Sequence, residues 1–158
     1  MWSFDPSVLP DEFEFSNNTL TCKSKNTVGY ATTLVGTKVL KSGVYTWNVV
    51  VDQLSGSYLC VGILPVQNNM NYKANYYTQA YCVCSDKYIY NLNKITGDIS
   101  NGIDTGDVLE FSLDFETDVF TVKNGNHFEY QGKNVRGKEF LPYFGFSNNN
   151  ATQLSLFF

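Results

Sequence analysis

The chain has 158 residues, a formal net charge of −4, and charged side chains at only 16% of its positions. This length predicts one domain, residues 1–158, which is large enough to bury a core without metal or disulfide staples. Because nucleic-acid affinity depends on Lys and Arg neutralising phosphates, an acidic chain whose few basic residues are scattered is not expected to bind nucleic acid.

Short runs of alternating apolar and polar residues follow one another along the first half of the chain. Such runs, separated by turn-forming residues, predict β-strands rather than helices. Phe13–Phe15 and Leu20–Cys22 flank Asn17-Asn18, which predicts a first hairpin. Further strands are predicted over residues 29–35, 44–52, 58–64, 80–84 and 88–92.

The strand that follows Gly43 has the most pronounced apolar face of this half. Tyr45, Trp47, Val49 and Val51 lie on one side of it when it is read at period two. We therefore expect Trp47 in the deepest part of the core. We also expect the run 58–64 to pair beside this strand.

Residues 66–78 interrupt the alternation. This segment contains several amide side chains and three tyrosines, with no clear period. It is interpreted as a long ordered loop, a type of segment that more often serves binding than packing.

Strand signals return in the second half of the chain. Val108–Phe115 alternates cleanly and offers an apolar face that matches the Trp47 strand, while Asn124-Gly125 predicts a tight turn. A turn is predicted at 96–98. The closing strands are predicted over 141–146 and 154–158, joined across 147–150. Ten or more short strands without intervening helices predict an all-β fold, a two-sheet antiparallel β-sandwich.

Seven segments follow one another in a particular order and spacing over almost the whole chain. They are Gly43-Val44-Tyr45-Thr46-Trp47-Asn48-Val49, Val61-Gly62-Ile63, Gly106-Asp107-Val108-Leu109, Leu113-Asp114, Phe120-Thr121-Val122-Lys123-Asn124-Gly125, Leu141-Pro142-Tyr143-Phe144 and Leu154-Ser155-Leu156-Phe157-Phe158. This series resembles the SPRY domain family. One segment departs from the family pattern, since Tyr81-Cys82-Val83-Cys84 stands where a glycine and a tryptophan are common.

The resemblance implies a bent, concanavalin-like jelly-roll sandwich. It implies a non-catalytic adaptor or scaffold module without cofactors, which binds a partner protein or short peptide through loops at one edge. Tyrosines supply stiff contact area and amides pair with a peptide backbone, so we expect the three loop tyrosines to lie on an exposed rim. We also expect the protein to be a monomer. The partner-binding residues implied are Lys25, Asn26, Asn68, Asn69, Tyr72, Tyr76, Tyr77, Ser147, Asn148 and Asn149.

Other functions are also compatible with residues of this sequence. Exposed tyrosines also stack on sugar rings, so a carbohydrate-binding, lectin-like sandwich remains the alternative. Asp114, Glu116 and Asp118 recur every second residue, as in a sugar hydrolase or a calcium site. Their position in a turn favours an exposed hairpin, and we expect no enzyme.

The four cysteines show no standard metal-ligand spacing. They are Cys22, Cys60, Cys82 and Cys84, and His127 is the single histidine. No metal site is predicted from this set. The chain begins without a secretory signal and has no apolar run that could cross a bilayer, so we expect a cytoplasmic protein that binds no membrane and keeps all four thiols reduced.

Overall fold

The structure is a computed structural model. It describes residues 1–25, 31–92, 95–98, 102–125, 127–149 and 151–158, with the backbone alone at 56, 57, 95–98, 148 and 149. These residues form one short 3-10 helix, Tyr77–Gln79, and thirteen strands. The strands are β1 Phe13–Ser16, β2 Thr21–Ser24, β3 Ala31–Val35, β4 Val44–Gln53, β5 Gly56–Pro65, β6 Tyr81–Cys84, β7 Tyr88–Asn91, β8 Ile95–Asp98, β9 Val108–Asp114, β10 Val119–Asn124, β11 Phe128–Lys133, β12 Phe140–Asn149 and β13 Gln153–Phe157.

The strands form two antiparallel sheets, as predicted. The seven-stranded sheet has the order β1-β2-β13-β4-β9-β10-β11, and the six-stranded sheet has the order β3-β12-β5-β6-β7-β8. The all-β sandwich is therefore confirmed. Within the described parts of the chain, no helix is long and apolar enough to cross a membrane.

Trp47 lies between the two sheets. It is only 2% exposed, and its ring stacks on that of Phe111 with centroids 5.2 Å apart. Trp2 contacts the Trp47 ring edge-on, with ring centroids 5.7 Å apart. The two aromatic rings stack because β4 and β9 are neighbours in a register that places Trp47 opposite Phe111. The predicted core position and the predicted partner strand are both confirmed.

The predicted pairing of the run 58–64 with the Trp47 strand is wrong. β5 lies in the other sheet, between β12 and β6, whereas β4 is flanked by β13 and β9. An apolar run of this kind shows that both faces of a strand are covered, but it does not specify which strands lie beside it.

Two turn predictions are also wrong. Ile95–Asp98 forms β8 and pairs with β7, although its Thr-Gly-Asp sequence is typical of a turn. Residues 147–149 belong to the end of β12, where Ser147 lies opposite Tyr58. In both cases cross-strand pairing overrides the local preference of the residues.

Candidate interaction site

The segment 66–80, here called the tyrosine loop, crosses the outer face of the six-stranded sheet. Strand residues that point away from the main core, together with Ala80 at the end of the loop, form a second apolar cluster beneath it, here called the outer cluster. It consists of Cys60, Leu64, Ala80, Cys82, Cys84, Tyr90 and Tyr143, with Tyr58, Met70, Tyr76 and Tyr77 packed against it. The loop therefore covers an apolar surface that an isolated sheet would expose to water.

Hydrogen bonds fix the tyrosine loop against the edge strand β3. The Thr33 amide donates to the Tyr72 carbonyl at 2.9 Å, and the Thr33 hydroxyl donates to the Ala74 carbonyl at 2.7 Å. Within the loop, the Asn71 amide donates to the Tyr76 hydroxyl at 3.0 Å. The loop thus occupies hydrogen-bonding groups of an edge strand that could otherwise pair with another chain.

Asn75 connects the loop to β12. Its Oδ1 atom accepts hydrogen bonds from the buried Tyr143 hydroxyl and from the Tyr77 amide, the latter at 3.1 Å. Its Nδ2 atom donates to Ser147 Oγ at 3.2 Å. The close approach depends on Gly145, because a Cβ atom there would lie 2.8 Å from Asn75 Oδ1. One amide side chain thus joins the loop to the end of β12.

The three loop tyrosines are half-buried rather than fully exposed. Tyr77 makes edge-on contacts with Tyr58 at 5.5 Å and with Tyr90 at 4.9 Å. Burial raises the pKa of Tyr72 and of Tyr90 above the usual value, so these hydroxyls remain neutral at physiological pH. Each tyrosine contributes part of its surface to packing and leaves the rest accessible from solvent.

Several other predicted residues lie away from the contact between Asn75 and β12. Asn68 and Asn69 are exposed, and Asn68 lines a cavity of about 740 Å³ with Pro65 and Glu139. Pro65 pairs with the first residue of β12, whereas Ser147 lies seven residues further along that strand, about 23 Å away at the usual rise. The structure therefore places Asn68 and Ser147 at opposite ends of β12.

Lys25 lies at the end of β2. It is half-buried and lines a cavity of about 310 Å³ with Glu14, Lys23, Ser24 and Ala151. Asn26 lies outside the described residues, and Asn148 and Asn149 are described only by their backbone in β12. Of the ten predicted residues, the structure thus joins Tyr72, Tyr76, Tyr77 and Ser147 through the tyrosine loop.

Sequence reasoning missed the residue that makes this connection. Asn75 was not selected, although Asn71 and Asn75 both accept a hydrogen bond from the amide two residues later. This local geometry is a known preference of asparagine in turns, so the repeated asparagines were a usable signal. Tyr58, Tyr90 and Tyr143 gave no such signal because they come from three separate strands.

The carboxylate triplet lies at the β9–β10 hairpin. Asp114 Oδ1 accepts hydrogen bonds from the amides of Glu116 and Thr117, at 2.8 and 3.1 Å. Asp118 Oδ1 accepts one from the Arg136 amide at 2.7 Å. These bonds lower the pKa values of Asp114 and Asp118. A glycosidase acid requires a raised pKa, so neither Asp114 nor Asp118 suits that role, and both carboxylates accept hydrogen bonds from backbone amides instead.

The described aromatic side chains do not form a lectin-like row. Those with about half of their surface exposed are Tyr88, Phe157 and Phe158. Tyr88 belongs to the six-stranded sheet, whereas Phe157 lies in the other sheet. A sugar-stacking surface needs neighbouring coplanar rings, which this arrangement does not supply.

The expectation of four reduced thiols is wrong for one pair. Cys60 and Cys84 lie opposite each other on β5 and β6 and form a disulfide, while Cys22 and Cys82 are free and buried. The pairing follows from the register of two adjacent strands, which sequence spacing did not reveal.

A sequence profile of the SPRY domain matches residues 44–157. The chain belongs to the SPRY family. SPRY domains generally act as protein-interaction modules without catalytic activity. The matched region begins at β4 and includes the tyrosine loop and β12. A comparison with curated protein sequences gave no match.

Solved structures show the same fold. The SPRY domain of human HERC1 aligns with a TM-score of 0.74 at 15% identity, covering 98% of this chain and 96% of that one. The TRIM65 PSpry domain aligns with a TM-score of 0.78 at 14% identity, covering 99% and 92%. Stonustoxin aligns with a TM-score of 0.67 at 15% identity, covering 99% of this chain and 27% of the toxin chain.

Proposed function

We propose that this SPRY domain binds a short peptide segment of a partner protein on the surface formed by the tyrosine loop and the end of β12. The observation that carries the proposal is the set of hydrogen bonds made by Asn75, which joins both parts of that surface. The acidic net charge of −4 supports a protein partner rather than nucleic acid.

A fixed loop favours recognition for an energetic reason. Loops that become ordered only on binding lose conformational entropy at that moment, which reduces affinity. Thr33 and Asn75 hold the tyrosine loop in place in the unbound protein. Half-buried tyrosines add stiff contact area, because packing already restricts their rotamers.

The accessible side chains indicate the chemistry of the peptide. Asn71 and Lys73 are exposed on either side of Tyr72 in the loop. Amide groups pair with a peptide backbone, and tyrosine rings pack against apolar side chains while their hydroxyls form hydrogen bonds. A neutral or modestly basic peptide with amide and hydroxyl groups fits this surface.

Selection of binding peptides from a random library tests the proposal. Lys73→Glu changes an exposed charge on the tyrosine loop, and the matched control Lys123→Glu makes the same change on the outer face of the seven-stranded sheet. We expect Lys73→Glu to strengthen binding of basic selected peptides about five-fold, or about 1 kcal/mol, and the control to leave it unchanged. Equal effects of the two substitutions would contradict the proposed surface.

A further inference from the structure

Three cysteine side chains meet beneath the tyrosine loop. Cys60 and Cys84 lie opposite each other with Cα atoms 4.2 Å apart, and Cys82 precedes Cys84 by two residues on β6. All three therefore point to the same face of the sheet. Their Sγ atoms lie within 4.8 Å of one another, and all three side chains are buried.

The cluster has two oxidation states. In the structure Cys60 and Cys84 are joined by a disulfide, and the Cys82 thiol lies 3.9 Å from Cys84 Sγ. Reduction of this disulfide by a thiol reductant such as glutathione consumes two electrons and two protons. It leaves three neighbouring thiols, the state that a reducing compartment favours.

We propose that the reduced cluster binds one Cu(I) ion through the sulfur atoms of Cys60, Cys82 and Cys84. Thiolates are soft ligands and select soft ions such as Cu(I). Metal–sulfur bonds of about 2.3 Å place the sulfurs of a trigonal site about 4 Å apart. The Sγ atoms of Cys82 and Cys84 already have this separation. The site also requires the Cys60 side chain, released from the disulfide, to rotate about its Cα–Cβ bond so that its sulfur moves away from Cys84 Sγ.

The number and type of ligands favour copper over zinc. Structural zinc sites are almost always tetrahedral, with four ligands. Among the described residues, no histidine or carboxylate joins the three cysteines. Copper binding displaces a proton from each thiol that becomes a thiolate, and the positive ion offsets part of the buried negative charge.

Competition for Cu(I) against the chromogenic chelator bicinchoninate tests the site. The protein is reduced, freed of reductant and titrated without oxygen. We expect wild-type protein to withhold one Cu(I) ion per chain, and Cys82→Ser to weaken the affinity at least about 100-fold. The matched control is Cys22→Ser, which removes the other free buried thiol, on β2 in the opposite sheet, and is expected to bind as wild type does.

Measurements on wild-type protein keep the test independent of variant folding. X-ray absorption of the copper-loaded protein is expected to show three sulfur neighbours at about 2.3 Å. The proposal is overturned if reduced wild-type protein leaves all Cu(I) with the chelator, or if Cys82→Ser retains it equally. It is also overturned if the spectrum lacks three sulfurs, or if Zn(II) binds at one ion per chain while Cu(I) does not.

Discussion

Replacing Asn75 by alanine removes the connection between the tyrosine loop and β12. The substitution deletes three hydrogen bonds and leaves the buried Tyr143 hydroxyl without the acceptor of its proton. A hydrogen bond contributes about 0.5–1.5 kcal/mol net, and an unsatisfied buried donor costs about 1–3 kcal/mol. We expect the docked loop to lose about 2–4 kcal/mol. The loss in global stability cannot exceed the free energy that docking of the loop contributes, because the loop can detach while the sandwich stays folded.

Amide hydrogen exchange measures this effect where it occurs. The Thr33 amide donates to the Tyr72 carbonyl, so its exchange reports on detachment of the loop. A loss of about 2–4 kcal/mol corresponds to exchange that is about 30-fold to several hundred-fold faster. Asn71→Ala is the matched control, because the Asn71 side chain accepts a single exposed bond, from the Lys73 amide.

A double mutant separates the unpaired hydroxyl from the other losses. Adding Tyr143→Phe to Asn75→Ala removes both the hydroxyl donor and its acceptor. Loss of both partners of a hydrogen bond is nearly neutral for stability, because no unsatisfied buried group is left. We expect the double mutant to be more stable than the sum of the two single effects. Unchanged exchange at Thr33 in Asn75→Ala, or strictly additive effects, would refute the role assigned to Asn75.

Three further predictions concern the core, the cysteines and the hairpin. Trp47→Ala is expected to lower the free energy of unfolding by about 3–5 kcal/mol, because its ring is buried in the core. The control Thr46→Ala, on the exposed side of β4, is expected to lower it by less than about 0.5 kcal/mol. Chemical denaturation measures both losses, and equal losses would contradict the core assignment. Thiol titration of the unfolded, unreduced protein should detect two thiols per chain, and four would rule out the disulfide. The Asp118 pKa is lowered by the Arg136 amide, so its contribution to stability is present above the unfolded pKa and is lost as pH falls through the folded one. The stability difference between wild type and Asp118→Asn should therefore shrink on acidification, and a difference that grows would refute this.

Clear alternation in the sequence predicted two strands together with their core-facing sides, whereas β11, which is also buried on one side, was not predicted. In β4 and β9, alternation marks the face that meets the core, and this face also indicated that the two strands belong together. In β5 both faces are covered, so the composition predicted a strand without predicting its neighbours. β8 was missed because its pairing with β7 outweighs the turn preference of Thr-Gly-Asp.

The candidate site was only partly predictable for a similar reason. An irregular segment rich in tyrosine and asparagine predicted a long ordered loop directly. The outer cluster beneath it depends on strand register, since Tyr58, Tyr90 and Tyr143 come from β5, β7 and β12. The Cys60–Cys84 disulfide likewise depends on how β5 and β6 are aligned. Contacts of this kind follow from the fold and leave no local pattern in the chain.

Chemical-shift mapping with a selected peptide tests the central claim most directly. Two-dimensional NMR spectra of isotope-labelled protein are recorded while the peptide is added. The proposed function predicts that the largest shifts fall on Asn71–Tyr77 and on Ser147, with little change at Lys123 and Gln131 on the outer face of the seven-stranded sheet. Shifts concentrated on that opposite face, with the tyrosine loop unaffected, would contradict the account.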